Sequence, residues 1–369
     1  MKIVFDAFWW GGGPLSLRHV MREIIIAWHK KFPEDELILV TRKKHTAANS
    51  SDQLPGLLLK TVLWPQALAA TQGVRRIARH HNADAVLTHN FAASVPNAVS
   101  SVYLHDVLFT TNPEWFTRIE RLYFSYMCRW IRRADVVFTS SHCEAARIRD
   151  HSDAHFVVPV GLGLSTELTA AEMADDPDPT LTPGQFLLTV GRLNVRKNLE
   201  TTILSALRTG LVDRGRPLVV VGNPGGKSTA MGSEVREAIQ SGAVVFTGFV
   251  PEARLRWLYR NTALFSFLSL GEGFGMPPVE AAYFGAPVLV SDLDVFQETL
   301  GTAARYVQPT DTSAITALMT ASIAAGQVST KAVNDRDELG RRHNWDDAVG
   351  AMRSVIVDLA DEHDDEAPR

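Results

Sequence analysis

Two glutamates, Glu272 and Glu280, flank a glycine-rich segment at residues 271–282 that could carry chemistry. An apolar run, Ala263–Leu268, precedes the segment and predicts a buried strand. The pair Pro277-Pro278 suits the first turn of a helix, because the N–H groups that proline lacks would have no partner there. The glutamates are therefore predicted to lie at the carboxyl end of a strand, where α/β folds bind ligands and where free backbone N–H groups attract phosphate.

A second glycine loop, at residues 191–198, places two cations beside a helix. Gly191 follows an apolar run that predicts a strand, and Asn198 can cap the helix that follows. Arg192 and Lys197 therefore lie near a helix N-terminus, and this combination of charges and free N–H groups suits a diphosphate. Either cation alone is typical of a solvated surface. Together with the first glycine segment, the pair favours an anion-binding site.

The elements that must position these loops alternate between short apolar runs and helical patterns. This alternation predicts an α/β fold with doubly wound parallel sheets. The predicted strands are Ile3–Phe5, Glu36–Val40, Ala85–Thr88, Ser101–Leu104, Val136–Thr139, Phe156–Gly161, Phe186–Val190, Leu218–Val221, Val244–Thr247, Ala263–Leu268, Pro287–Val290 and Ala304–Val307.

The length of the chain and one polar stretch predict two domains. At 369 residues the chain exceeds the size of one comfortable core. Residues 165–184 are rich in Asp, Thr and Pro, as a boundary loop should be. We therefore expect an N-terminal domain at 1–163 and a C-terminal domain at 164–344, followed by an amphipathic helix at about 345–362.

Composition excludes several classes of protein. Residues 1–163 hold 19 Lys and Arg against 14 Asp and Glu, whereas the rest holds 18 against 27, so an anionic partner suits the first half better. The overall charge of −4 and the lack of a recognisable module argue against nucleic-acid binding. Cys128 and Cys143 show neither metal-like spacing nor a disulfide framework, which fits a reducing cytoplasm. Charged residues interrupt every apolar run before it could span a bilayer.

The two glycine loops together resemble those of the retaining glycosyltransferases of family 4, and in particular bacterial mannosyltransferases. The resemblance rests on Gly191-Arg192 and Lys197-Asn198, followed by Glu272–Gly275 with Glu280 eight residues on, and it covers nearly the whole chain in order. It implies the GT-B fold, in which two Rossmann-like domains face each other across a cleft and a C-terminal helix crosses back to the N-terminal domain. The first domain would bind the acceptor and the second the nucleotide-sugar donor.

The resemblance also implies roles for residues of the second half. Glu280 would bind the ribose hydroxyls, and Arg192 with Lys197 would neutralise the diphosphate as the glycosidic bond breaks. Glu272 would either attack the anomeric carbon in a double displacement or, on a front-face route, position the donor sugar. The segment Gly248-Phe249-Val250 would contact the base. Backbone contacts to phosphate and sugar would come from five further residues, Gly191, Gly273, Phe274, Gly275 and Met276.

In the first half, the resemblance singles out the ends of two predicted strands. His105 follows Ser101–Leu104, where related enzymes place a histidine near the 6-hydroxyl of the donor sugar; a lone histidine is more commonly a structural residue. Asp106 is a weaker acceptor-side candidate. Gly12 and Gly13 match the glycine loop after the first strand, and Arg18 on the helix that follows could face the acceptor.

The resulting expectation is transfer of a hexose to a glycan or lipid-linked saccharide. The His105-Asp106 pair and the downstream Asn112–Phe116 segment tilt the donor toward GDP-mannose, while dTDP-, UDP- and other GDP-sugars stay open. No metal or other cofactor is expected. A nucleotide-sugar epimerase and a non-catalytic scaffold with the same fold are the two rival hypotheses.

One stretch, Trp115–Arg133, interleaves five arginines with aromatic side chains. It fits either an amphipathic helix that buries its aromatics or a basic face that rests on anionic lipid. The sequence favours the first interpretation slightly. The second would make a cytoplasmic enzyme peripheral to the inner face of the plasma membrane.

Overall fold

The structure is a computed structural model that describes residues 1–42, 57–61, 63–170, 180–223, 231–325 and 331–366. The chain divides into two compact units. The first comprises Met1–Thr111, Arg118–Gly163 and Asn344–Arg369, and the second comprises Asn112–Thr117 and Leu164–His343. Residues Asn112–Thr117 thus group with the second unit, whereas the sequence places them in the first.

The first unit is built on a parallel sheet of seven strands among the described residues, in the order β3-β2-β1-β4-β5-β6-β7. The strands are β1 (Lys2–Asp6), β2 (Glu36–Arg42), β3 (Leu57–Thr61), β4 (Ala85–His89), β5 (Val99–Tyr103), β6 (Val136–Thr139) and β7 (Val157–Pro159). The helices are α1 (Leu15–Lys31), α2 (Gln66–Leu68), α3 (Arg75–His81), α4 (Leu108–Thr111), α5 (Arg118–Trp130), α6 (His142–His151) and the C-terminal α15 (Trp345–Glu366). The strand order reverses between β1 and β4, which makes the ends of these strands the expected ligand edge.

The second unit repeats this plan with a parallel sheet in the order β10-β9-β8-β11-β12-β13. Its strands are β8 (Leu187–Val190), β9 (Leu218–Val221), β10 (Val244–Gly248), β11 (Leu264–Phe267), β12 (Val288–Ser291) and β13 (Arg305–Val307). Its helices are α7 (Thr166–Ala170), α8 (Leu199–Arg208), α9 (Ser233–Ser241), α10 (Glu252–Asn261), α11 (Met276–Tyr283), α12 (Asp294–Leu300), α13 (Thr312–Ala325) and α14 (Lys331–Arg342). Here the order reverses between β8 and β11.

The C-terminal helix α15 packs against α1 within the first unit. The guanidinium of Arg353 donates to both carboxylate oxygens of Asp35 at 2.8 and 2.9 Å, and Lys31 donates to the carbonyl of Asp346 at 2.6 Å. The Asp35 side chain is fully buried and also accepts from the N-terminal ammonium of Met1. Although burial alone would raise the pKa of Asp35, these donors hold it below its usual value.

The structure confirms the α/β class and each predicted strand, with small shifts at the ends, and differs in three places. It adds β3 at Leu57–Thr61, an edge strand that the sequence analysis missed. The sequence pattern predicts one helix from about Glu114 to Arg133, whereas the structure has a 3₁₀ turn at Pro113–Trp115 and an extended backbone at Phe116 before α5 begins. The last helix also continues to Glu366, beyond the predicted end.

Candidate functional site

The two glycine loops of the second unit follow β8 and β11, the strands at which the sheet order reverses. Because β8 and β11 are parallel neighbours, their carboxyl ends meet at one edge. The loops are joined directly: Leu270 N–H donates to the carbonyl of Arg196 at 2.8 Å, and the Arg196 guanidinium donates to the carbonyl of Gly271 at 3.4 Å. Residues 75 positions apart in the chain therefore share one site.

Glu272 lies at the centre of this edge and is 6% exposed. Its carboxylate accepts from Lys197 Nζ at 2.6 Å and pairs with Arg196 Nη1 at 3.2 Å, one cation on each oxygen. Burial by itself would raise the pKa of Glu272, but Arg196 and Lys197 hold the pKa below its usual value. The glutamate is therefore ionised at neutral pH. Lys197 also lies 4.3 Å from the centre of the Phe267 ring, which restrains its position further.

The second cation at Glu272 is Arg196, a residue that the sequence analysis passed over. The predicted partner of Lys197, Arg192, is exposed and forms no hydrogen bond or ion pair with the described residues. The reason is the short 3₁₀ turn Val195–Lys197, which directs both Arg196 and Lys197 toward the loop after β11. Arg196 is directly followed by Lys197 in the sequence, and this adjacent pair of cations was the signal that could have revealed it.

Asn198 also differs from expectation. It occupies the position before α8, but its backbone is left-handed (φ 51°) and its side chain makes no capping hydrogen bond. The side-chain amide donates instead to the carbonyl of Pro309 at 2.9 Å. Asn194 caps the preceding 3₁₀ turn: its side chain accepts from the Lys197 N–H at 3.3 Å and so orders the turn that carries both cations.

The first turn of α11 leaves backbone donors available, as the proline pair predicts. Pro277 and Pro278 stand in the first turn, and Gly275 precedes it with a left-handed backbone (φ 92°). A Cβ at Gly275 would collide with the Phe296 ring, so glycine is required there. Among the described residues, no acceptor pairs with the N–H groups of Phe274, Gly275 and Met276. These three donors and the positive end of the helix favour an anion.

Glu280 lies one turn further along α11 and is half-buried. Its carboxyl accepts a hydrogen bond of 2.9 Å from the hydroxyl of Tyr259, a fully buried residue on α10. Burial raises the pKa of Glu280 to about 7, and the negative charge of Glu252 adds to the effect, while the Tyr259 hydroxyl opposes it. The two glutamates that frame the segment thus differ: Glu272 is held ionised and Glu280 titrates near neutral pH.

The segment predicted to contact a base, Gly248-Phe249-Val250, follows β10 on the same sheet. Phe249 is 60% exposed and Val250 is 3% exposed, so this turn presents an aromatic ring to solvent and anchors itself through the valine. The carbonyl of Gly248 accepts from Gly222 N–H at 3.0 Å, and Gly191 N–H donates to the carbonyl of Val221 at 2.9 Å. The ends of β8, β9 and β10 are therefore joined.

Replacing Gly222 by alanine should loosen this joined edge. Gly222 has φ of +140°, and a Cβ there would collide with the carbonyl oxygen of Gly191. We expect a loss of about 2–3 kcal/mol in the free energy of unfolding, measured by urea denaturation. Gly210→Ala is the matched control, because Gly210 also has a positive φ but open space around it, and should cost about 1 kcal/mol. Equal losses in the two variants would contradict the predicted collision.

In the first unit, the glycine loop follows β1, beside the reversal of its strand order. Gly12 N–H donates to the carbonyl of Trp9 at 3.1 Å, and Gly13 has φ of +108°, with no room for a Cβ against the Trp9 ring. Arg18 lies in the first turn of α1 and is half-buried. Asp6, which ends β1, is 2% exposed, and burial raises its pKa to about 6 despite the donors from Phe8, Gln66 and His89.

His105 follows β5 and forms an aromatic group with His89 and Tyr103, with ring centres 5.1 Å from each. Burial lowers the pKa of His105 to about 4, against the opposing charge of Asp106, so its imidazole is neutral at pH 7. Its Nε2 atom is buried and has no partner among the described residues. A neutral imidazole with an unpaired nitrogen can donate to or accept from a ligand hydroxyl.

Glu144 holds the His105 loop and was not predicted. It is fully buried on α6, accepts from Val107 N–H at 2.8 Å and pairs with Arg147. Its own N–H donates to the side chain of Ser141, the N-cap of α6, at 3.0 Å, and a serine three residues before Glu144 was the sequence signal for this cap. Asp106 accepts from Leu108 N–H at 3.3 Å and so caps α4 from within this loop.

Within the described residues, no group of three or more His, Cys, Asp and Glu side chains is arranged to hold a metal ion. None of the helices formed by these residues has both the length and the apolar character needed to cross a membrane.

The two parallel sheets define a GT-B fold. The solved sucrose-phosphate synthase from Thermosynechococcus elongatus superposes on this chain with a TM-score of 0.69, at 18% identity, covering 97% of this chain and 99% of its own. Residues 176–331, which hold the loops around Glu272 and Lys197, match the family model described as glycosyl transferases group 1.

In sequence, the chain resembles bacterial mannosyltransferases. It is 27% identical over 229 residues to the serotype-specific mannosyltransferase WbdA of Escherichia coli, and the aligned region covers 58% of this chain and 28% of that protein. It is 30% identical over 133 residues to O-antigen chain mannosyltransferase B of E. coli, and the aligned region covers 36% of this chain and 35% of that protein. The chain therefore matches about a third or less of the length of these relatives.

Proposed function

We propose that the protein is a retaining glycosyltransferase that moves a hexose from a nucleotide-diphosphate sugar to a saccharide acceptor. The family match and the names of the relatives support the transferase class. The observation that carries the proposal is the ion pair between Lys197 and buried Glu272 at the reversal point of the second sheet. This pair supports the proposal because the Lys197 ammonium could neutralise a diphosphate and the Glu272 carboxylate could bind a sugar.

Lys197 and the N–H groups of Phe274, Gly275 and Met276 would hold the diphosphate. An ammonium group has three donors, so Lys197 can bind Glu272 and a phosphate oxygen together. Arg192, exposed after β8, would add a second charge on the solvent side. These groups stabilise the negative charge that develops on the leaving diphosphate, and the proposal requires no metal or cofactor for that purpose.

Glu272 positions the donor sugar in this proposal. Both of its carboxylate oxygens are engaged by cations, which disfavours attack on the anomeric carbon. Retention then follows from a front-face route, in which the acceptor enters on the side from which the diphosphate leaves. His105, with its neutral imidazole, would contact a sugar hydroxyl, and Glu280 would accept hydrogen bonds from the ribose.

We propose mannose as the sugar and GDP-mannose as the donor, because both relatives named above are mannosyltransferases. The acceptor would be a growing bacterial glycan or a polyprenyl-linked saccharide. A lipid-linked acceptor would require the enzyme to work in the cytoplasm at the inner face of the plasma membrane. Arg18 and Asp106 are the acceptor-side candidates of the first unit.

A thermal-shift panel tests the donor directly, since a ligand that binds only the folded state raises the melting temperature. The panel comprises GDP-mannose, GDP-fucose, UDP-glucose and dTDP-glucose, each with its free diphosphate. We expect the largest shift with GDP-mannose, equal to about 2.7 kcal/mol of stabilisation at a concentration of 100 times Kd. No shift with any nucleotide would support a non-catalytic scaffold. A larger shift with another sugar nucleotide would show that GDP-mannose is not the preferred donor.

Incubation with donor alone separates the transferase from an epimerase that shares the fold. A transferase leaves the sugar configuration of the donor unchanged without an acceptor. A new epimer of the nucleotide sugar, detected by NMR, would overturn the proposal.

A further inference from the structure

Helix α5 (Arg118–Trp130) leaves an apolar stripe uncovered. Ile119 is 81% exposed, Leu122 is 63% exposed and Tyr126 is 49% exposed. Their spacing of three and four residues places them on one face of the helix. Large apolar side chains exposed together in this way mark an interaction surface, whereas a single one would need no explanation.

Another part of the surface of α5 packs against the first unit. Tyr123 packs edge-on against Phe91 with ring centres 5.4 Å apart, and Phe124 packs against Phe109 at 5.5 Å. Met127 is 3% exposed. Tyr123 and Phe124 are half-buried by these contacts, and the Ile119, Leu122 and Tyr126 stripe remains exposed beside them. The helix is thus held with the Ile119, Leu122 and Tyr126 stripe outward.

Arginines surround this stripe. Arg118, Arg121 and Arg129 are exposed on α5, and two further arginines are exposed on the 3₁₀ turn Ile131–Arg133 that follows it. None of the five forms an ion pair with a carboxylate in the described part of the chain. Glu120 is the one acidic residue between positions 118 and 133, so the surface carries a net charge of +4. An apolar stripe bordered by cations is the pattern of a helix that lies in a membrane interface.

We propose that α5 docks the protein onto an anionic phospholipid bilayer. Ile119, Leu122 and Tyr126 enter the boundary between headgroups and acyl chains, and the arginines bind lipid phosphates. Each cation near an anionic surface contributes about 1 kcal/mol to the free energy of membrane binding. The arginines therefore add substantially to what the insertion of three side chains contributes. A second copy of this chain is a poorer occupant, because pairing two such faces would bring ten arginines together.

Sedimentation of the full chain with lipid vesicles tests the docking surface. We expect binding to vesicles that contain phosphatidylglycerol, weak binding to phosphatidylcholine alone, and release at high salt as the charges are screened. The double variant Ile119→Ser/Leu122→Ser should lower the partition constant on anionic vesicles by about tenfold or more. Arg118→Gln/Arg129→Gln should lower it by a similar factor and flatten its salt dependence.

The matched control is Ile26→Ser/Leu68→Ser, which removes two apolar side chains that are 43% and 40% exposed elsewhere on the first unit. This control should bind vesicles as the wild type does, and circular dichroism should show all variants folded. The proposal is overturned if the wild type ignores anionic vesicles, if the α5 variants bind normally, or if ultracentrifugation shows a dimer that the α5 variants abolish. Vesicle binding requires neither donor nor acceptor, so its failure would leave the proposed transferase function standing.

Discussion

Replacing Lys197 by alanine is expected to lower kcat/KM for sugar transfer by about 10²–10³ while the protein stays folded. In the proposed mechanism the half-buried Lys197 ammonium stabilises the leaving diphosphate, and removal of one such group costs this much in comparable sites. The substitution also leaves the buried carboxylate of Glu272 with Arg196 as its cation. The variant should therefore neutralise the phosphate charge less well and hold the Glu272 carboxylate less firmly.

Steady-state kinetics with GDP-mannose and an acceptor saccharide would check this result. Arg208→Ala is the matched control, because Arg208 is an exposed cation at the end of α8 and lies outside the two loops. It should retain wild-type activity. Wild-type turnover by a folded Lys197→Ala protein would refute the role of Lys197 at the diphosphate.

Arg196→Ala and Arg192→Ala distinguish the two arginines of the loop. Arg196 contacts Glu272, so its loss should weaken donor-sugar binding and lower the free energy of unfolding by about 1–3 kcal/mol, since one buried carboxylate oxygen would lose its cation. Arg192 is exposed, so its loss should leave stability unchanged and affect the affinity for free nucleoside diphosphate. The reverse pattern in urea denaturation would contradict the geometry.

The affinity for a sugar nucleotide is expected to fall by about tenfold as the pH decreases from 8 to 6, because the pKa of Glu280 is about 7. In the proposed complex, ribose hydroxyls donate to the ionised carboxylate of Glu280, and protonation would remove part of its acceptor capacity. Calorimetric titration at several pH values would measure the effect. A sugar nucleotide is the right probe, because its phosphates do not titrate in this range as the terminal phosphate of a free diphosphate does.

Glu280→Gln provides the control for this pH dependence. The variant should bind more weakly at pH 8, by about tenfold, and show no dependence between pH 6 and 8. Tyr259→Phe removes the donor that stabilises the carboxylate, so it should shift the same dependence to higher pH and recover affinity under alkaline conditions. A pH profile unchanged in Glu280→Gln would exclude Glu280 as the titrating group.

The free energy of unfolding should also depend on the protonation of Glu280. It should fall as the pH rises, whereas the affinity for the sugar nucleotide increases. The folded pKa of Glu280 lies above the unfolded value, so the folded state binds the proton more tightly and loses stability as the pH rises toward 7. Glu280→Gln should therefore be more stable than the wild type at pH 8, as measured by urea denaturation. A wild-type advantage at that pH would contradict the raised pKa.

Much of the fold could be predicted because its signals are local. Apolar runs such as Ala263–Leu268 and the proline pair at 277–278 determine a strand and a helix start within a few residues. Alternation of such elements is enough to predict parallel sheets, and β3 was missed because Leu57–Thr61 is an edge strand with no strong flanking signal. The charge asymmetry and the candidate glutamates were likewise visible without any tertiary information.

The contacts of the candidate site depended on tertiary structure. Glu272 and Lys197 are 75 residues apart, and they meet only because β8 and β11 pair in parallel at the reversal of the strand order. The choice of Arg196 over Arg192 follows from the direction that a 3₁₀ turn gives to each side chain, which residue type does not reveal. The pKa of Glu280 depends on burial and on Tyr259, a residue 21 positions away.

The sequence by itself determined the class of fold, the two glycine loops and the residue types available for phosphate and sugar binding, since these depend on local pattern. Only the tertiary structure decided which cations meet Glu272, which glutamate titrates near neutral pH, and which side chains of α5 remain outside. Each of these depends on what surrounds a side chain in space, because burial and neighbouring charge set both pairing and protonation.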